Sequence, residues 1–236
     1  MLSELTEHMP KSVLAKDLRT DVSAFDHLPK GQLYIFYGTP YPENITMNNI
    51  TGPAGAVPLA RTYSYHWSEQ DPYTVPGGSV KIIDPINFPT ASNFAAALVT
   101  VEPGAMREIH WHTTSDEWNY FIAGTARMTI FSAPASSQTW DFSAGDVGYI
   151  PVPQAHYIEN TGNETLVFLE VLQAPRFTDI SLGQWLGLTP PQVVQDALNF
   201  SDAVVNNLSK TKAYILPGTG KQDPLQTNFT VERMHE

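Results

Sequence analysis

The chain has 236 residues, of which 42% are hydrophobic, 11% aromatic and 16% charged, enough apolar material for a sizeable core. Its net charge of -11, with acidic residues scattered and no basic cluster, argues against nucleic acid or an anionic membrane as partner, and no apolar run reaches the roughly 18 residues of a membrane span. With no cysteine, disulfides and thiolate metal ligands are excluded.

The opening Met1–Pro10 is acidic and lacks the apolar centre of a signal peptide. From Pro10 to Gly38 the chain repeats, without a gap, at Pro190 to Gly218. Identities include Pro10/Pro190, Leu18/Leu198, Lys30/Lys210, Tyr34/Tyr214, Ile35/Ile215 and Gly38/Gly218, with apolar matches at Leu14/Val194 and Phe25/Val205. Each copy reads as Pro at a helix start, two short helices and a strand-like Tyr-Ile ending in Gly. A duplication of this kind marks tandem domains. The expectation is therefore that residues 1–38 are the helical tail of a first domain whose own core is absent, followed by an extended connection over 39–65, a complete domain over 66–210 and a C-terminal tail over 211–236. Within the connection, Arg61–Trp67 alternates polar and aromatic residues and predicts a half-buried strand, with His66 on its polar face.

Beyond Ser79 the pattern is all-β. Strands are expected at Ala95–Val101, Arg107–His112, Glu117–Ile122, Thr125–Phe131, Thr139–Phe142, Gly148–Ile150, His156–Asn160 and Thr165–Leu172, spaced as in a sandwich or jelly-roll barrel. Helices are expected between Leu182 and Leu208. Six Asn-x-Ser/Thr sequons, at Asn44, Asn49, Asn163, Asn199, Asn207 and Asn228, hint at a secreted protein.

The chemistry is concentrated in G-A-M-R-E-I-H-W-H-T-T-S-D-E-W-N-Y-F-I-A-G (Gly104 to Gly124) and G-D-V-G-Y-I-P-V-P-Q-A-H-Y-I-E-N (Gly145 to Asn160). His110 and His112, two apart on a strand, project from one face. Glu117 lies on the next strand and His156 on a third, so the four meet only if the sheet closes into a barrel. Three imidazoles and a carboxylate form a mixed N/O set that leaves two positions open on an octahedral ion, which suits manganese, with iron or nickel as alternatives.

These stretches resemble the paired signature motifs of the cupin superfamily, with Pro153 standing where the second motif has glycine. Val75 to about Gly187 is similar to the second cupin of fungal bicupin oxalate decarboxylases, most specifically in G-A-M-R-E-x-H-W-H. The resemblance implies an all-β cupin jelly roll with short flanking helices. It also implies a secreted protein that uses manganese and dioxygen to convert oxalate to formate and carbon dioxide, with a companion cupin domain or a homo-oligomer as partner. A non-catalytic metal-binding cupin and an oxalate oxidase are the alternatives. By the same resemblance Arg107 is the substrate-binding and catalytic residue that grips oxalate, although alternation places it opposite His110 unless a bulge intervenes near Glu108. The proton-handling glutamate of such enzymes has no counterpart in Ala174–Leu182. Asp179 stands there as the candidate acid, or as the N-cap of a helix over Ile180–Trp185.

Overall fold

The computed structural model describes residues 2–31, 34, 35, 37, 38, 40, 41, 43, 44, 51–56, 58 and 62–219. The sequons at Asn49 and Asn228 lie outside this set. Two compact units are present, Met1–Ala56 and Val57–Glu236.

In the first unit, helices α1 (Leu2–Glu7) and α2 (Lys11–Asp17) precede a 3-10 turn at Val22–Phe25. Pro10 is the N-cap of α2 and Asp21 caps the turn through the Ser23 N–H. Leu14, Ala15 and Phe25 make a small core with Leu28 against it.

The second unit is built on two antiparallel six-stranded sheets. The first has the order β1 (Tyr73–Val75), β2 (Gly78–Ile83), β3 (Ala95–Val101), β10 (Leu166–Leu172), β5 (Glu117–Ala123), β8 (Val147–Ile150). The second runs β11 (Ile180–Ser181), β4 (Met106–Trp111), β9 (Ala155–Asn160), β6 (Thr125–Ser132), β7 (Ser136–Ser143), and β12 (Ile215–Leu216) also pairs with β4. Helices α3 (Leu182–Leu188), α4 (Pro191–Leu198) and α5 (Asp202–Asn206) follow the last long strand. No helix among the described residues is long and apolar enough to cross a membrane.

Strand alternation builds the core. On β10, Leu166, Phe168, Glu170 and Leu172 are buried while the residues between them are half-buried. Phe121, Phe168, Met128, Ile158 and Val99 fill the interior between the sheets. Burying each such side chain stabilises by roughly 1.5–3 kcal/mol. Gly124 turns β5 into β6 at φ 80, where an added Cβ would lie 2.9 Å from the Leu166 Cα, so only glycine serves there.

The expected strands are found within a few residues, β1, β2 and β11 are additional to them, and three further readings differ. Arg61–Trp67 is not a strand: residues 62–66 are irregular, Trp67–Glu69 is a 3-10 turn and Arg61 lies outside the described residues. Among the described residues its alternation meets no neighbouring strand to pair with, and His66 is exposed. The Thr139–Phe142 strand extends over Ser136–Ser143, because β6 pairs with it along its whole length. Residues beyond 210, expected as a tail, re-enter the sheet at β12, and Ile215 is 1% exposed in the main core.

Candidate metal centre

Strand β4 carries the bulge that the motif requires. Its register against β9 runs Met106 to Glu159 and Arg107 to Ile158, then shifts before His110 meets His156. As a result Arg107, Glu108 and His110 are all buried and Ile109 alone faces out. His112 follows at the end of β4, Glu117 opens β5, and His156 on β9 lies directly opposite His110.

The four side chains converge, with ligand atoms all within 4.8 Å of one another, and each residue is buried. Every histidine uses Nδ1 to meet a backbone carbonyl: His110 that of Glu108 at 2.8 Å, His112 that of Thr178 at 2.7 Å, His156 that of Gln154 at 3.1 Å. This fixes Nε2 as the inward atom of each ring, the arrangement by which outer partners orient metal ligands. Glu117 Oε2 lies 2.8 Å from His112 Nε2 and 3.1 Å from His156 Nε2. Apart from these close approaches, all three Nε2 atoms and both Glu117 oxygens are buried without a hydrogen-bond partner. Four such ligand atoms around one point are costly for a protein alone and fit a divalent cation. Pro153 accommodates the missing glycine without a positive φ, and the Val152–Pro153 peptide is cis.

The electrostatics of His110 and Glu117 point the same way, while the Glu117 carboxylate overcomes burial to raise His112. Burial, helped by the Arg107 charge, holds His110 well below the ordinary imidazole value, so its ring is neutral and ready to ligate. Burial opposes charge on Glu117 too, but His156 and His112 outweigh it and keep the carboxyl well below the usual range.

Behind the cluster lies an ion network absent from the sequence reading. Arg107 Nε donates to Glu170 Oε1 at 3.0 Å, Nη2 donates to Asp179 Oδ2 at 2.5 Å, and Nη1 to the Tyr214 carbonyl at 3.4 Å. Lys212 Nζ bonds Glu108 Oε1 at 2.8 Å and pairs with Asp179 Oδ1. Burial disfavours the Arg107 charge, yet Glu170 and Asp179 more than restore it. Asp179 is held below the carboxylate range: burial pushes it up, but Arg107 and Lys212 pull it further down.

The segment after β10 is pinned over the cluster. The Phe177 ring packs edge-on to His112 at 5.8 Å, Thr178 accepts from His112, Asp179 holds Arg107, and Ile180–Ser181 pairs with His110 and Trp111. Asp179 is therefore not a helix N-cap. Ser181 caps α3 through the Gln184 N–H and also donates to Glu108 at 2.8 Å. Buried Arg107 and partly buried Lys212 give Asp179 two charge-assisted contacts, and the hydroxyl two residues on serves the cap.

Residues 65–206 match the Cupin family. The chain belongs to the cupin family. As a cupin it is 41% identical over 211 residues to oxalate decarboxylase OxdC of Bacillus subtilis, covering 89% of this chain and 54% of the relative. It is 40% identical to an oxalate decarboxylase of Arthroderma benhamiae, covering 91% of this chain and 50% of the relative. A solved structure of the Bacillus subtilis oxalate decarboxylase, studied for its Mn(II) centres, superposes with a TM-score of 0.86 at 40% identity, over 92% of this chain and 57% of that one. The chain thus spans about half the length of the relatives it matches.

Proposed function

We propose that this cupin binds manganese through His110, His112, Glu117 and His156 and serves dioxygen-dependent decarboxylation of oxalate to formate and carbon dioxide. The observation that carries the reading is the convergence of four buried ligand atoms, one from each residue, that have no hydrogen-bond partner, in a chain similar to oxalate decarboxylases along most of its length. Bound manganese would supply a Lewis-acidic, redox-active seat for one substrate carboxylate. Arg107, on the same strand and paired with buried Glu170, is the group to hold the other carboxylate through the Nη2 donor that now meets Asp179.

In the overall conversion the C–C bond of oxalate breaks, one carbon leaves as carbon dioxide and the other takes a proton to become formate. A proton donor is therefore needed. Asp179 as found is a poor one, since both of its oxygens face cations and its carboxyl is held ionised. That observation favours a second reading, a metal-binding cupin half without decarboxylase activity of its own.

A companion cupin barrel, or a second copy of this chain, is proposed against the outer face of β5 and β8, where Trp118 and Tyr149, and Tyr120 and Val147, are exposed cross-strand pairs with exposed Ile122 further along β5. The exposed sequons Asn163, Asn199 and Asn207 suit glycosylation in a secreted protein.

Purified protein loaded with manganese and assayed for formate, carbon dioxide and peroxide from oxalate, under air and under nitrogen, tests the proposal. Oxygen-dependent formate release supports decarboxylation. Peroxide in place of formate points to an oxidase, and metal binding without turnover points to the non-catalytic module.

A further inference from the structure

The Arg107 fork has no vacant edge. Nε and Nη2 both face Glu170, at 3.0 and 3.5 Å, Nη2 also donates to Asp179, and Nη1 is turned to the Tyr214 carbonyl. Glu170 is fully buried on β10 and has nowhere to go. Asp179, whose side chain is also buried at 2% exposed, differs in having a second cation to turn to. Its second oxygen already meets Lys212, whose side chain is 17% exposed, and its backbone is fixed by the neighbouring Ile180–Trp111 and Ser181–His110 pairs. Its carboxylate could leave Arg107 by rotation of the side chain, without opening the segment that supports His112.

We propose that Asp179 is an internal occupant of the carboxylate seat on Arg107, and that a dicarboxylate enters by exchange, with Lys212 retaining the displaced Asp179. The proposal rests on the reading of Arg107 as the substrate grip. It makes Asp179 a specificity-determining residue. A ligand that brings a second carboxylate replaces what Arg107 loses, whereas a monocarboxylate such as formate has nothing with which to displace Asp179 and gains only the metal contact. The seat is thereby closed to small anions that would otherwise fill it.

The test is calorimetric titration of the manganese-loaded full chain with oxalate and, separately, with formate, in wild type, Asp179→Asn, Arg107→Lys and the double variant, with manganese content measured on each sample. Asp179→Ala replaces the asparagine variant should that fail to fold. The expected result is oxalate binding about tenfold tighter in Asp179→Asn, the scale of one charge-assisted hydrogen bond, with formate binding unchanged and the gain lost when Arg107 is also lysine. A gain shared equally by oxalate and formate, persisting in the double variant, would show a general field effect and overturn the proposal. So would unchanged, weaker or absent oxalate binding in Asp179→Asn. Should Arg107→Lys leave oxalate affinity unaltered, the reading of Arg107 itself fails.

Discussion

The two copies of the 29-residue repeat, Pro10–Gly38 and Pro190–Gly218, agree in their helical parts and part company at the end. Both place Pro at an N-cap, bury Leu14 or Val194 in the helix, put Arg19 or Asn199 at φ 53 after it, and bury Phe25 or Val205 in the next turn. Yet Ile35 is 92% exposed whereas Ile215 is 1% exposed and paired with Arg107 on β4. Helix start, left-handed exit and second turn are local products of the sequence. The strand at the end needs a sheet edge to receive it, and the same Tyr-Ile pair is core or surface according to whether one is supplied. The second copy also carries Lys212, where the first sequence has Gln32, and Lys212 pairs with Asp179 beside the site.

The comparison can be broken at three levels. Ile215→Ala should cost about 2–5 kcal/mol by opening a cavity in the main core, whereas Ile35→Ala should lie within about 0.5 kcal/mol of wild type. Urea denaturation decides it, and equal losses would mean that Ile35 too is packed. Leu14→Ala and Val194→Ala should each cost on the order of 2 kcal/mol, because both anchor their helix pair. Hydrogen exchange resolves which unit is loosened, and protection lost in only one would show that the helical parts are not equivalent. The smallest effect concerns the left-handed exits. Arg19→Gly should stabilise by about 0.5–1 kcal/mol and Asn199→Gly by less, since asparagine tolerates that conformation better. Destabilisation of both, by thermal unfolding, would assign those side chains a packing role instead.

The four candidate ligands were legible because spacing on strands fixes the face: His110 and His112 two apart, Glu117 and His156 at or beside strand starts. The bulge that admits Arg107 was legible as a conflict between alternation and burial. Glu170 was missed, although a signal existed: a charge at the inward position of Leu166, Phe168, Glu170, Leu172 needs a buried partner. Lys212 had no local signal, because it lies past the apparent end of the domain and reaches the site only through the pairing of β12 with β4. Asp179 was located, but its partners are set by tertiary contacts that no cap pattern encodes.

The central claim is that His110, His112, Glu117 and His156 hold one metal ion, and it is tested most directly by manganese content. Protein purified with manganese, dialysed and measured by elemental analysis and Mn(II) electron paramagnetic resonance should carry about one ion per chain at this four-ligand site. His110→Ala and Glu117→Gln should lose most of it while retaining the β-sheet signature by circular dichroism. Wild-type metal content in either folded variant would contradict the account.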